Sequence, residues 1–274
     1  MKNFESGVFE SITADQAYIK AKSLEEGERI QPDDFKDLYG EKNVSDDHEY
    51  VKKMENIFVK EAVPEQENTR KLAAIFEEII HEQVELSDWL GPDVCTIKPS
   101  RYDDIKNGVD SIAEFQESEH TASYLALAID ATFSSEIEKK LSRIKKEIEA
   151  GELAKVKYFA SDHMNFRGEI AMIPRVIIGA EAKTIKDISE LWLEGKNKDL
   201  GSHKIQFQII EEMLIQFDAY KRYAEKVNRP EIVRIYNKVS SLVQNIYNNK
   251  KETMEDRGNR DGVCMAINQK MKSF

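Results

Sequence analysis

Apolar residues recur with helical spacing in two stretches of the middle of the chain, and a strongly apolar run lies between them. Residues 64–91 and 135–150 have the 3.6-residue period of amphipathic helices. The run from Tyr124 to Phe133 alternates in the manner of a central strand, and IKNGVDSIAEF before it is predicted to form a neighbouring strand. The stripes of the two helices consist of Leu72, Ile75, Phe76, Ile79 and Ile80, and of Ile137, Leu141, Ile144 and Ile148.

Further elements follow in the second half of the chain. The β-branched segments AKVKYF and IPRVIIGA are predicted strands, joined by a loop, and a helix is expected over residues 184–192. Two long amphipathic helices are expected over residues 203–228 and 231–249, separated by Arg229-Pro230. This order predicts an α/β fold in which a mixed central β-sheet is flanked by α-helices and followed by a helical extension.

The pattern also predicts how the chain is divided. Residues 1–63 are expected to form a flexible acidic arm with one short helix after Thr13, because the segment that follows is turn-rich and poor in aliphatic residues. Residues 64–200 are expected to form the α/β core, and residues 201–249 a helical extension packed on that core. Residues 250–274 show no sustained period, which predicts a frayed tail.

Composition narrows the function classes. The net charge of −11 disfavours a protein that binds nucleic acid broadly through a basic face. Cys95 and Cys264 are the two cysteines and lie far apart, which argues against a zinc site or a disulfide framework and favours a reducing cytoplasm. No apolar run approaches the length of a membrane span, so no membrane partner is expected. The spacing of the histidines and the absence of a glycine-rich phosphate loop disfavour histidine metal ligation and Rossmann or P-loop chemistry.

Two aspartates on predicted strands are the main chemical lead. Asp130 ends the most apolar strand, and Asp110 lies in the strand before it. A carboxylate in such a place costs free energy unless it is paired, protonated or bound to a cation. Two carboxylates on neighbouring strands would offer the hard oxygen ligands that suit Mg²⁺ or Mn²⁺.

A helix with an acidic residue, a strand bearing Asp, a strand ending in an acid, a helix and a further strand together resemble the core of the PD-(D/E)XK nuclease superfamily. The resemblance covers about residues 64–159 and rests on GVD and DAT at the two strands, in place of PD and (D/E)XK. It implies a restriction-endonuclease-like core. It also implies that Asp110, Asp130 and the carbonyl of Ala131 are metal ligands and that Glu77 is the assisting glutamate of the first helix.

The sequence departs from that family at Thr132, where the motif has a lysine. Some members of the superfamily place this lysine on the following helix, which makes Lys140 the candidate. By the same resemblance, Glu77, Asp110, Asp130 and Lys140 are the expected catalytic residues. Substrate contacts are expected among the basic residues near the sheet, namely Arg101, Lys106, Lys155, Lys157 and Arg167.

Two functions are therefore open. The first is a Mg²⁺- or Mn²⁺-dependent endonuclease or exonuclease that hydrolyses phosphodiester bonds of DNA or RNA. The second is a catalytically inactive module of the same fold that acts as a protein-interaction or adaptor protein, and Thr132 in the lysine position favours it. The C-terminal helices are expected to cover the sheet, and a homodimer through them is the alternative.

Overall fold

The computed structural model describes residues 2–61, 67–130, 135–255 and 258–274. Eleven α-helices, one short 3₁₀ helix at Pro32–Phe35 and six strands lie in these ranges. The helices are α1 (Lys2–Glu28), α2 (Lys36–Tyr39), α3 (Glu41–Lys60), α4 (Glu67–Leu86), α5 (Arg101–Asn107), α6 (Ser135–Ala150), α7 (Ala182–Leu193), α8 (Asn197–Gly201), α9 (Ile205–Lys226), α10 (Pro230–Thr253) and α11 (Gly262–Met271). The strands are β1 (Val94–Ile97), β2 (Ser111–Ser118), β3 (Thr121–Asp130), β4 (Ala154–Ala160), β5 (Arg167–Ile173) and β6 (Arg175–Gly179).

The central sheet is mixed and has the strand order β1–β2–β3–β6. The first three strands form an antiparallel meander, and β6 lies parallel to β3 after a connection that contains α6. This confirms a mixed α/β fold with helices beside a sheet. The predicted strand AKVKYF does not belong to that sheet, because β4 pairs with β5 in a separate two-stranded sheet. Strand β5 lies in the segment for which a loop was predicted.

The two faces of the central sheet are buried against different elements. Leu125 and Leu127 of β3 belong to the main apolar core, to which α4, α6, α7, α9 and α10 also contribute. Ile112 of β2 and Ala126 of β3 belong to a second cluster with residues of the β4–β5 sheet. Because successive strand residues point to opposite faces, this division follows directly from the alternation in β2 and β3.

Polar side chains of α9 bond to backbone groups of the edge strand β6 that pair with no strand in the described ranges. Gln216 accepts a hydrogen bond from Ile177 N at 2.8 Å and donates one to Ile177 O at 2.6 Å. Glu212 accepts from Gly179 N at 2.9 Å, and Gln208 donates to Gly179 O at 3.1 Å. The spacing of four residues places these side chains on one helical face, which takes the place of a further strand.

The N-terminal region is more helical than its sequence predicted. The prediction of one short helix followed by a flexible connection is wrong for residues 41–60, which form α3. Phe35 and Val44 are buried with Tyr158 of β4 in a third apolar cluster. A few apolar contacts and the neighbouring ion pairs thus order a segment whose composition is typical of a loop.

The C-terminal segment also differs from the prediction of a frayed tail. Helix α10 continues to Thr253, and α11 follows with Val263, Ile267 and Met271 buried against the main core. Asp261 caps α11 by accepting from the backbone N–H groups of residues 263 and 264. Within the described ranges, no helix has both the length and the apolarity needed to cross a bilayer.

Candidate functional site

Asp110 lies at the point where α5 passes into β2. Helix α5 ends at Gly108, which has a left-handed backbone conformation with φ of 61°. The backbone N–H of Asp110 then donates to Leu127 O at 3.1 Å, which joins this position to β3. Asn107-Gly108 thus ends a helix that the sequence pattern did not predict.

Side chains from two other elements meet Asp110. Lys140 of α6 lies with its Nζ atom 3.9 Å from Asp110 Oδ2. Burial raises the pKa of Glu77 of α4 to about 8, and the charge of the Asp110 carboxylate is the second largest cause of this rise. Glu77 and Lys140 thus both interact electrostatically with Asp110, and all three residues were predicted for the site.

In the described part of the structure, hydrogen bonds and nearby cations offset the burial of the Glu77 carboxylate only in part. Its Oε1 atom is buried and has no hydrogen-bond partner among the residues that the structure describes. The nearby cations Lys98 and Arg29 lower its pKa, but their effect is smaller than that of burial. Buried carboxylate oxygens without partners are costly, so this atom marks a position where a cation would be favourable.

Asp104 is a site residue that the sequence analysis missed. It accepts a hydrogen bond from Arg101 at 2.6 Å and lies 3.3 Å from the guanidinium of Arg29. Burial and the neighbouring Asp110 raise its pKa nevertheless. Its sequence context, an acidic pair after Ser100, indicates the first turn of a short helix and gives no sign of proximity to Asp110.

Lys98 and Glu78 form a buried ion pair beside Glu77. Their exposed fractions are 1% and 2%, and Lys98 Nζ contacts Glu78 Oε1. Burial lowers the pKa of Lys98, while the charge of Glu77 acts in the opposite direction. The Lys98 ammonium group just after β1 allows Glu78 to lie inside the protein although it is charged.

The backbone also places Asp130 near this region. Ser111 lies opposite Leu127 in the β2–β3 ladder, so position 110 lies opposite position 128, and Asp130 is two residues further along β3. Asp130 itself lies opposite Gly179 of β6. For Asp130 the structure describes the backbone alone, and Ala131 and Thr132 lie outside the described residues.

Three of the basic residues proposed to contact substrate are engaged with acidic residues of the N-terminal region. Arg101 binds Glu55 at 2.9 Å, Lys157 binds Asp47 at 2.5 Å, and Arg167 contacts Asp37. Lys157 also lies 5.0 to 5.5 Å from the ring centroids of Tyr39, Tyr102 and Tyr158. These cations hold α2 and α3 against the core. Lys106 and Lys155 are exposed.

Among the side chains that are described, no group of three or more His, Cys, Asp or Glu residues is arranged to hold a metal ion. The described side chains do not include that of Asp130, and Ala131 lies outside the described residues. Comparison with known proteins leaves the family open: no family model, no curated protein and no solved structure matches the chain.

Proposed function

We propose that this protein is a metal-dependent nuclease that hydrolyses phosphodiester bonds of nucleic acid. The observation that carries the proposal is the meeting of Glu77, Asp110 and Lys140, which come from three separate elements. These residues were selected from the sequence by their resemblance to nuclease positions. Their proximity in the fold supports a common role.

The topology supports the same proposal. A helix, a three-stranded antiparallel meander, a second helix and a strand parallel to the third follow one another in α4, β1–β3, α6 and β6. The resemblance to the PD-(D/E)XK superfamily implies a helix, two acid-bearing strands, a helix and a further strand, and α4, β2, β3 and α6 follow one another in that order. The further strand expected at AKVKYF lies in the separate β4–β5 sheet, so β6 takes its place in the proposal. A restriction-endonuclease-like core is therefore part of the proposal.

The chemistry of the site suits a divalent cation. The buried, unpartnered Oε1 of Glu77 and the mutual repulsion of Glu77, Asp104 and Asp110 would both be relieved by a bound cation. Asp110 and Asp130 are the proposed ligands, with the Ala131 carbonyl. Mg²⁺ or Mn²⁺ bound there would lower the pKa of a water molecule and stabilise charge on a phosphate.

The protein's own residues have distinct proposed roles. Asp110 and Asp130 hold the cation, and Glu77 orients the attacking water or serves as a further ligand. Lys140 stabilises negative charge on the phosphate, because its ammonium group already lies beside Asp110. In this arrangement Lys140 takes the place of the lysine that is absent at position 132.

The test is cleavage of end-labelled single-stranded and duplex DNA and RNA by purified protein with Mn²⁺ or Mg²⁺. Asp110→Asn and Asp130→Asn should each reduce cleavage by about 10²-fold or more, because each removes charge that binds the cation. The matched control is Asp218→Asn, a change of an exposed aspartate on α9 that pairs with Arg222. Equal cleavage by wild type and the Asp110→Asn, Asp130→Asn double variant would show that the activity does not arise at this site.

Cation binding is measured separately by thermal or urea unfolding with and without Mn²⁺. A cation at 100 times its dissociation constant should stabilise the protein by about 2.7 kcal/mol, and Asp110→Asn should remove the effect. If millimolar Mn²⁺ leaves stability unchanged and no substrate is cut, the protein is the non-catalytic module of the same fold.

A further inference from the structure

Two arginines from different elements bond to the carbonyl groups at the C-terminal end of α5. Arg175 of β6 donates to Asn107 O at 2.9 Å and also to Gly108 O. Arg143 of α6 donates to Lys106 O at 3.5 Å. The last carbonyl groups of a helix have no partners within the helix, so the two guanidinium groups supply donors to three successive residues.

The carbonyl groups that Arg175 holds come directly before Asp110. One residue, the buried Val109, separates Gly108 from Asp110. The backbone N–H of Asp110 in turn donates to Leu127 O of β3 at 3.1 Å. The guanidinium of Arg175 on one side and strand β3 on the other therefore fix the backbone that carries the Asp110 carboxylate.

Gly108 allows the arginines to approach this turn closely. Its φ of 61° lies in the left-handed region that favours glycine. A Cβ atom at this position would lie 2.5 Å from Arg143 Nη1 and 3.8 Å from Arg175 Nη1. The space that a side chain would occupy at position 108 is thus taken by the guanidinium groups.

Arg175 occupies a position where an apolar residue would be expected. It is 2% exposed, and the three residues that follow it in β6 are buried aliphatics. Burial lowers the pKa of its guanidinium, while the charge of Glu147 and, less strongly, that of Asp110 act in the opposite direction. A buried ion pair adds little stability over apolar side chains of similar volume, but the planar fork of arginine fixes the groups that it binds.

Glu147 connects the two arginines. Its Oε1 atom lies 3.1 Å from Arg143 Nε and 3.2 Å from Arg175 Nη2. Glu147 Oε2 and Arg175 Nε are buried and have no hydrogen-bond partner among the described residues. A pair retained for stability alone would be expected to satisfy these atoms, so the bonds to the turn before Asp110 are the more specific feature of the arrangement.

We propose that Arg175 is a positioning residue that fixes the turn at Asn107-Gly108 and, through it, the carboxylate of Asp110. The inference rests on the proposed nuclease function for its purpose, which is to hold a cation ligand in place. Groups that orient a metal ligand typically contribute about 10- to 100-fold to metal affinity or activity. In this role Arg175 touches neither cation nor substrate, so its removal lowers kcat and cation affinity and leaves KM nearly unchanged.

The test compares two variants with a matched control. Arg175→Met removes the donors and keeps an unbranched side chain, whereas Arg175→Lys keeps the charge and loses the fork. The control is Arg229→Met, because Arg229 Nε also donates to a carbonyl near the end of a helix, Glu149 O of α6, at 3.1 Å. Circular dichroism and urea unfolding establish that each variant is folded and how stable it is.

Amide hydrogen exchange, measured by NMR in EDTA, reports on the bond from Asp110 N to Leu127 O. Arg175→Met should accelerate exchange at Asp110 at least about tenfold more than at Ala113 in the β1–β2 ladder, where exchange follows overall stability. Arg175→Lys should show a smaller difference between the two amides, and Arg229→Met none. Equal acceleration at the two amides in Arg175→Met would overturn the proposal, even if that variant is less stable.

Calorimetric titration with Mn²⁺ and cleavage kinetics provide the second measurement. Arg175→Met should raise the Kd of Mn²⁺ and lower kcat by about tenfold or more, with KM within about twofold of wild type. Arg175→Lys should recover part of this loss, and Arg229→Met should behave as wild type. A wild-type Kd and kcat in Arg175→Met would also overturn the proposal.

Failure of the positioning role and failure of the nuclease proposal give different results, because exchange is measured without a cation. If wild type neither binds Mn²⁺ nor cuts nucleic acid, but Arg175→Met selectively accelerates exchange at Asp110, the nuclease proposal fails and the positioning of Asp110 stands. If wild type binds Mn²⁺ through Asp110 and Arg175→Met binds it equally well, the nuclease proposal stands and the positioning role fails.

Discussion

Two regions of this molecule that contain buried polar groups differ in how those groups are satisfied. Between α9 and β6, Gln208, Glu212 and Gln216 bond to backbone groups that would otherwise lack partners. Around Asp110, carboxylates lie near other carboxylates, and burial together with the charge of Asp110 raises the pKa values of Glu77 and Asp104. The first region uses polar atoms to complete a sheet, although burial there also raises the pKa of Glu212, whose Oε1 has no hydrogen-bond partner among the described residues. The second region differs because its carboxylates repel one another.

The contrast separates a structural role from a functional one. A residue selected for stability alone would be expected to satisfy its hydrogen bonds, as Gln216 does with both groups of Ile177 and with Tyr220. Carboxylates that repel one another in the folded protein are typical of sites that bind a cation or carry out chemistry. Mutations should therefore have opposite effects on stability in the two regions.

The largest effect on stability is expected for Gln216→Ala. The substitution leaves the buried N–H and C=O groups of Ile177 without their partners and removes the acceptor of Tyr220, so the free energy of unfolding should fall by about 3 kcal/mol. Urea unfolding measures it, with Gln244→Ala on the exposed side of α10 as the control. A loss below about 1 kcal/mol would mean that the α9 side chains do not complete the sheet edge.

An effect of similar size and opposite sign is expected for Glu77→Gln in EDTA. The folded-state pKa of Glu77 is raised from 4.5 to about 8, so the native state retains a proton that the unfolded state has released between these pH values. The contribution of Glu77 to wild-type stability therefore falls as pH rises from about 4.5 to 8. The variant lacks this loss and should gain about 3 kcal/mol over wild type between pH 5 and pH 8.

Urea unfolding at pH 5, 6.5 and 8 measures this gain, with Glu225→Gln, an exposed change on α9, as the control. A pH-independent difference between Glu77→Gln and wild type would show that burial and the charge of Asp110 do not disfavour the ionised form of Glu77 in the folded protein. Saturating Mn²⁺ at pH 8 should stabilise wild type more than the variant, because the cation compensates the ionised carboxylate.

The smallest effect is expected at the edge of the site, for Glu55→Gln. Glu55 of α3 binds Arg101 at 2.9 Å, but the two side chains are 46% and 41% exposed, and Arg101 keeps its bond to Asp104. Exposed ion pairs contribute little, so unfolding should change by less than about 1 kcal/mol. A loss above about 2 kcal/mol would show that the Glu55–Arg101 ion pair stabilises the packing of α3 on the core more than the exposure of the pair suggests.

Strong periodicity explains which elements could be predicted. The run that forms β3 and the stripes of α4 and α6 bury many aliphatic side chains, and the sequence pattern identifies them directly. Helix α3 buries Val44 alone, so its pattern is that of a solvated loop, and tertiary contacts decide its conformation. Strand β1 and helix α5 are too short for a period to show, at four and seven residues.

The site residues also divide into those that the sequence indicates and those that it does not. Asp110 could be predicted because a carboxylate in an apolar strand is unusual, and Glu77 and Lys140 because the order of elements resembles that of the nuclease superfamily. Asp104 and Lys98 were missed because an acidic residue in a first helical turn and a lysine after a short strand are common on protein surfaces. The glutamines of α9 did carry a signal, since polar residues repeat every four positions on an otherwise apolar helix.

The side chains of α9 have a consequence for the behaviour of this protein in solution. Edge strands with free backbone groups recruit strands from other molecules and begin aggregates. At β6 those groups are occupied, and at the opposite edge Glu85 of α4 accepts from Thr96 N of β1 at 3.2 Å. Side chains thus bond to backbone groups at both edges of the central sheet. We therefore expect this chain to resist strand-by-strand polymerisation at high concentration and when newly synthesised.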